Sequence, residues 1–231
     1  MPATRGCGQG FYRVRTCTTL PVGLVVALPT ELGEPLVARG AVSQGMCRPR
    51  QTHVLVADAQ AQVFVARDRL GLPAVYGCAY GRGRTTHLGG IHRCGLSSEG
   101  TCHGIDKPTL AGPIAAYEDQ SGKGFGQHWI VVVRDLRSGR VLRRLPTGTP
   151  ATREQIGGGP VTTIVVKRDG AVAWIVEAEA PPPGKWEVHA VDTNGSRVLA
   201  SGADVAPWSL ALAGNNLYWT QDGRASAAPL N

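Results

Sequence analysis

A chain of 231 residues with a formal charge of +7 is long enough to bury one full core, and all-β folds of this size commonly stay undivided. Glycine (31) and proline (16) are frequent, while Lys107, Lys123, Lys167 and Lys185 are the sole lysines among 24 basic residues, so composition speaks against a helical bundle and for many short strands. The arginines are spread along the chain without interleaved aromatics, which argues against a nucleic-acid platform, and no transmembrane segment is expected.

Residues 1–50 form a separate N-terminal segment. Arg5, Arg13 and Arg15 precede the apolar stretch Leu20 to Leu28, the layout of a secretory signal, although that stretch is too short to span a bilayer and Ala38-Arg39-Gly40 is a poor cleavage site. Val22 to Leu28, bounded by Pro21 and Pro29, reads equally as a β-strand. A third reading leaves the first forty residues disordered or upstream of the true start.

Beyond residue 50 one phrase recurs: an apolar strand, a turn at Gly or Asn, and a second strand carrying a large aromatic. Val54 to Asp58 leads into Phe64, Leu110-Ala111-Gly112 into Tyr117, Val166 to Gly170 into Trp174, and Leu212-Ala213-Gly214 into Trp219. These aromatics are 53, 57 and 45 residues apart, close to propeller blade periods. A second phrase follows the aromatic. Trp129 to Asp135 with Ser138-Gly139 and Arg140-Val141-Leu142 matches Trp186 to Asp192 with Asn194-Gly195 and Arg197-Val198-Leu199, and Asn-Gly is a strong hairpin signal. Each unit thus predicts four antiparallel strands, with units near 53–90, 103–148, 161–202 and 206–231, the last of about three strands. Such a sheet cannot bury both faces alone, so the units stack and Phe64, Tyr117, Trp174 and Trp219 become blade-core residues.

Leu217-Tyr218-Trp219-Thr220-Gln221-Asp222 resembles the Tyr-Trp-Thr-Asp strand of YWTD-type propellers, with Gln221 in place of the family's Asp. The units over 53–231 are similar to bacterial extracellular propeller-repeat proteins of the TolB-like or WD40-like kind. That resemblance implies an all-β, propeller-like array of about three and a half four-stranded blades and says little about activity. A closed propeller ordinarily has at least four blades, so either Val22 to Leu28 closes or extends the array, or open edges invite self-association.

Cys47, Cys78, Cys94 and Cys102 remain if a signal ending ahead of Cys47 is removed, an even set suited to a disulfide framework outside the cytoplasm. Cys94 is the preferred participant, bonded to Cys102 or to Cys78. The weaker alternative is zinc held by His92, Cys94, Cys102 and His103, whose spacing is unorthodox. Glu118-Asp119, Glu177 with Glu179, and Asp222 fall near the ends of the aromatic strands, where carboxylates gather for a cation or acid-base chemistry or are simply solvated. Ser97, Ser98, His103 and Asp106 offer triad residue types without a nucleophile elbow, and Gly157 to Gly159 and Gly81-Arg82-Gly83 read as links, lacking a P-loop lysine. Trp129 and Trp186 share a repeat position and read as packing residues, whereas Trp208, after Pro207, is the least constrained by the repeat. The function expected is a non-catalytic binding or scaffold module, secreted, periplasmic or at the cell surface. It takes no cofactor and recognises a protein, peptide or saccharide. The alternative is a propeller-fold lyase or hydrolase with a loop-borne active site.

Overall fold

The computed structural model describes residues 47, 52–81, 83–91, 93–94, 102–121, 128–148, 158–178 and 184–231, all within the compact unit Gly40–Asn231. They form four antiparallel sheets and no α-helix. Sheet 1 runs β1 (His53–Ala57), β2 (Ala61–Arg67), β3 (Pro73–Ala79) and β4 (Thr85–Gly90) in spatial order. Sheet 2 runs β5 (Arg93–Cys94), β6 (Cys102–Ala111), β7 (Ile114–Ser121), β8 (His128–Asp135) and β9 (Val141–Pro146). Sheet 3 comprises β10 (Val161–Val166), β11 (Val172–Glu177), β12 (Trp186–Asp192) and β13 (Gly195–Gly202), and sheet 4 comprises β14 (Ala211–Ala213), β15 (Asn216–Gln221) and β16 (Arg224–Pro229).

The meander order follows from the turn chemistry, because neighbouring strands in sequence are also neighbours in space. Asp222 and Gly223, with φ of 49° and 67°, make the two-residue turn whose backbone twist matches a right-handed hairpin. At Asp192 to Gly195 the turn residues are Thr193 and Asn194, and Gly195, with φ of 96°, pairs back to Asp192, so the expected Asn-Gly turn sits one residue earlier. Sheet 2 departs from the four-strand expectation. A two-residue strand, Arg93–Cys94, adds to β6 opposite Cys102 and His103, a segment too short to show any periodicity.

Three apolar layers hold the sheets in sequence order. Ala61, Val63 and Val75 of sheet 1 meet Ala115, Tyr117 and Val132 of sheet 2. On its other face sheet 2 presents Ile114, Ala116, Val131 and Val133 to sheet 3, chiefly to Ile164, Val172, Trp174 and Val176. Ala173, Ile175, Val188 and Ala190 then meet Leu217, Trp219 and Leu230 of sheet 4. The middle strands are therefore buried on both faces, which is why Ile114–Tyr117, Trp129–Val133 and Val172–Val176 read as continuous apolar runs rather than alternations. Outer strand β9 alternates half-buried and exposed positions, and β13 mixes the two without a fully buried residue, as edges facing water do.

Phe64, Tyr117, Trp174 and Trp219 lie on β2, β7, β11 and β15 and are 0%, 1%, 2% and 7% exposed. The last three each face the preceding sheet, and Phe64 faces the corresponding side of sheet 1, where Cys47 packs. Among the described residues no buried apolar cluster combines sheet 4 with sheet 1. Val22 to Leu28, the expected closing strand, lies outside the described residues.

Gly158, expected as part of a link, instead makes a close backbone approach. A Cβ on it would stand 2.8 Å from the Cα of Gly148, so the entry to β10 and the exit from β9 touch main chain to main chain.

Candidate functional site

Within their sheets, the β6–β7 turn falls at the same end as β8–β9, and β10–β11 at the same end as β12–β13; these turns and the β1–β2 turn are where carboxylates are committed to the fold. Asp58 accepts the N–H groups of Gln60 (2.7 Å) and Ala61 (2.9 Å) and, across to sheet 2, that of Gly112 (2.6 Å). Asp135 and Asp169 accept the Arg137 and Ala171 N–H groups, each at 2.9 Å. Asp192 receives both Arg197 guanidinium nitrogens (2.9 and 2.7 Å) and the Asn194 and Asn231 N–H groups. Arg197 chiefly, aided by those N–H groups, holds its carboxyl down to about 2. Asp residues in such turns fold the chain, and little of their charge remains for a ligand.

The opposite end differs. Glu118 lies one residue past the Tyr117 core position, turned toward sheet 3 and only 3% exposed, with Oε1 accepting the Val161 N–H at 3.2 Å. It stands opposite Asp106 in the β6–β7 register, where β6 is irregular, and Lys107, with φ of 49°, folds back to pair with Asp106 at 2.7 Å. Burial pushes the Glu118 carboxyl up to about 7, with Asp106 adding to the rise and the Val161 N–H and Lys107 opposing it. It is thus a carboxyl poised to exchange a proton near neutrality.

Val161 leads directly to a second feature. The next residue, Thr162, donates its hydroxyl to the Pro207 carbonyl, as does Thr163 at 3.2 Å, which fixes the turn before β14 onto the start of β10. Ala206 N–H donates to Thr220 (2.9 Å), Ser209 Oγ donates to Ala206 (2.7 Å), and the same Oγ accepts the Thr220 N–H (2.8 Å). Inside this locked turn Trp208 is 70% exposed. A large apolar ring held in water by a rigid frame is the arrangement of an interface anchor, because little freedom is left to lose on binding.

Other expected site residues are dispersed. Cys47 is bonded to Cys78, with Cα atoms 5.8 Å apart, so Cys78 is not open to pairing with Cys94. The register sets Cys94 opposite Cys102 and Arg93 opposite His103; for Cys94, Cys102 and His103 only the backbone is described, and His92 lies outside the described residues. Among the described residues no three His, Cys, Asp or Glu converge as a metal site. Ser97, Ser98 and Glu179 also fall outside them. Glu177 accepts the Gly184 N–H at 3.3 Å, and Asp222 forms the β15–β16 turn. Trp129 and Trp186 are half-buried at their strand starts.

Sequence reasoning missed a cross-strand row on the outward face of sheet 1: Phe64 stacks on Tyr76 (6.0 Å, 21°), and Tyr76 meets His87 edge-on (5.2 Å, 65°). The signal was present as an aromatic at one facing position of each of three successive strands, but it emerges only once their register is known. No protein-family model matches the chain, and no curated protein matches it.

Proposed function

We propose that the chain is a propeller-like binding or scaffold module of the TolB-like or WD40-like kind, working outside the cytoplasm on a protein, peptide or saccharide. The observation that carries this reading is Trp208, 70% exposed on a turn hydrogen-bonded to both β10 and β15. The Cys47–Cys78 disulfide supports an oxidising compartment. Arrays of immobilised oligosaccharides and peptides, probed with the full chain and with Trp208→Ala, test it. At least one ligand is expected to bind, with affinity falling by about thirtyfold in the variant, the loss of a typical anchor. Ligands held equally by both proteins, or none at all, would remove the basis for this reading. The lyase or hydrolase alternative draws support from Glu118 alone, as a candidate proton donor.

The edge of sheet 4 supports a finer reading of the architecture. In the two-residue hairpin, Arg224, Ser226 and Ala228 bond to β15, so Ala225 and Ala227 point their N–H and C=O groups outward. Pro229 offers no donor, and its carbonyl accepts Arg197 at 2.9 Å. On this proposal, Val22 to Leu28 would supply the missing strand along Ala225 and Ala227 and complete the last blade. Removing residues 1–40 should then lower the melting temperature or drive self-association through the bared edge. A truncated protein as stable and as monomeric as the full chain would overturn the assignment.

A further inference from the structure

We infer that the outward face of sheet 1 is a binding pocket for a small six-membered ring bearing a single carboxylate. A cavity of about 300 Å³ opens there over Phe64 and Ala66, walled by Tyr76 and Thr85 and rimmed by Arg67 and Arg69. That volume is at the lower limit for ligand pockets, which fits one ring with its substituents and not an extended chain.

The floor is rigid. Phe64 and Ala66 are buried, the Cys47–Cys78 disulfide joins the same face, and Gln62 Nε2 donates to the Cys47 carbonyl at 2.8 Å. Tyr76, set between Phe64 and His87, also lines the cavity, an aromatic wall of the kind that packs against a flat aromatic or the C–H face of a sugar. The Thr85 hydroxyl, on an exposed residue, is available to a ligand hydroxyl.

The rim supplies the charge. Arg67 donates one nitrogen to the Gly71 carbonyl at 2.7 Å, and Arg69 has no hydrogen-bond or ion-pair partner among the described residues. Between them Asp68 spends Oδ1 on the Leu70 and Leu72 N–H groups (2.8 Å each), which holds the loop in shape. Two guanidiniums and one carboxylate leave a single net positive charge at the rim, the complement of a monoanion and short of what a dianionic phosphate would call for. Guanidinium forks match carboxylates in plane and spacing.

A hexuronate and an aromatic acid share this chemistry, and calorimetric titration of the full, disulfide-intact chain separates them. Glucuronate, galacturonate and benzoate are compared with glucose and benzamide at low ionic strength. We expect one-to-one binding of a uronate, of benzoate or of both, no matching affinity for the neutral counterparts, and weakening by about tenfold or more in Arg69→Ala, the loss of one charge-assisted contact. Arg69→Ala should keep the wild-type melting temperature, so its loss of binding is not a folding defect, and Tyr76→Ala should weaken binding as well. This pocket does not use Trp208; hence Trp208→Ala should bind the acid normally, and the pocket and the Trp208 reading stand or fall separately. The pocket is refuted if no acid binds, if the neutral compounds bind as tightly, or if Arg69→Ala binds like the wild type.

Discussion

Trp174→Ala is expected to lower the free energy of unfolding by about 3–5 kcal/mol, a large share of the stability of a domain this size. The indole is 2% exposed in the layer between sheets 2 and 3, lies flat on His189 (5.3 Å, 10°), and donates Nε1 to the carbonyl of the fully buried Thr147. Thr147 in turn donates its hydroxyl to the Gly159 carbonyl at 3.0 Å, beside the Gly148–Gly158 contact. Truncation therefore leaves a cavity and an unsatisfied buried carbonyl where two sheets are joined by main chain. Trp174→Phe keeps most of the ring, loses the N–H, and should cost about 1–2 kcal/mol. Trp219 provides the contrast. It occupies the same repeat position on sheet 4, but its Nε1 is buried without a hydrogen-bond partner among the described residues, so Trp219→Phe should stay within about 1 kcal/mol of neutral. Urea unfolding of the three variants measures this, and equal losses for the two phenylalanine variants would show that the Thr147 bond does not distinguish the sites.

The same pair of tryptophans shows what a single chain discloses. Their recurrence at spacings of 45 to 57 residues with Phe64 and Tyr117 placed four second strands, because a sheet buried on both faces needs bulk at a fixed point of each repeat. Their partners were hidden, since Thr147 is 27 residues from Trp174 and meets it only across a seam. Gly158 illustrates the converse. A glycine announces a missing side chain, but only the fold shows which backbone fills the space, and here it is Gly148. Four cysteines admit three pairings, and Cys47 was the least obvious partner for Cys78 because the segment bearing it resembles no repeat. Arg93–Cys94 went unread as a strand, being two residues long. The turn aspartates Asp58, Asp135, Asp169 and Asp192 find N–H partners mostly within three residues, a local satisfaction that composition does not reveal. The Phe64–Tyr76–His87 row needed register, and the exposed Trp208 was the one site residue that stood out by failing to fit the repeat.

Glu118→Gln is expected to stabilise the protein at pH 8 and to leave it nearly unchanged at pH 4. The unfolded carboxyl titrates near 4.5 and the folded one at about 7, chiefly because burial disfavours its charged form. Below 4.5 both states hold the proton and Glu118 imposes no penalty. As pH rises from there the unfolded state releases its proton first, the folded state binds more protons, and stability falls until the folded group has ionised near 7. The full penalty is about 3 kcal/mol, and glutamine removes it while its Oε1 still accepts the Val161 N–H and its amide faces Asp106. Asp192 acts with the opposite sign. Its folded carboxyl titrates near 2 against an unfolded 3.8, so the stability it contributes, about 2 kcal/mol, is present above 3.8 and is lost as pH falls through 2. The summed contribution of these two groups is greatest at about pH 4–5, falling on the acid side through Asp192 and toward neutrality through Glu118. Urea midpoints of wild type and Glu118→Gln across pH 4 to 8 give the difference directly. A difference that does not grow with pH would mean that the Glu118 carboxyl titrates no higher folded than unfolded, and its charge opposite Asp106 would then have to be offset by Lys107.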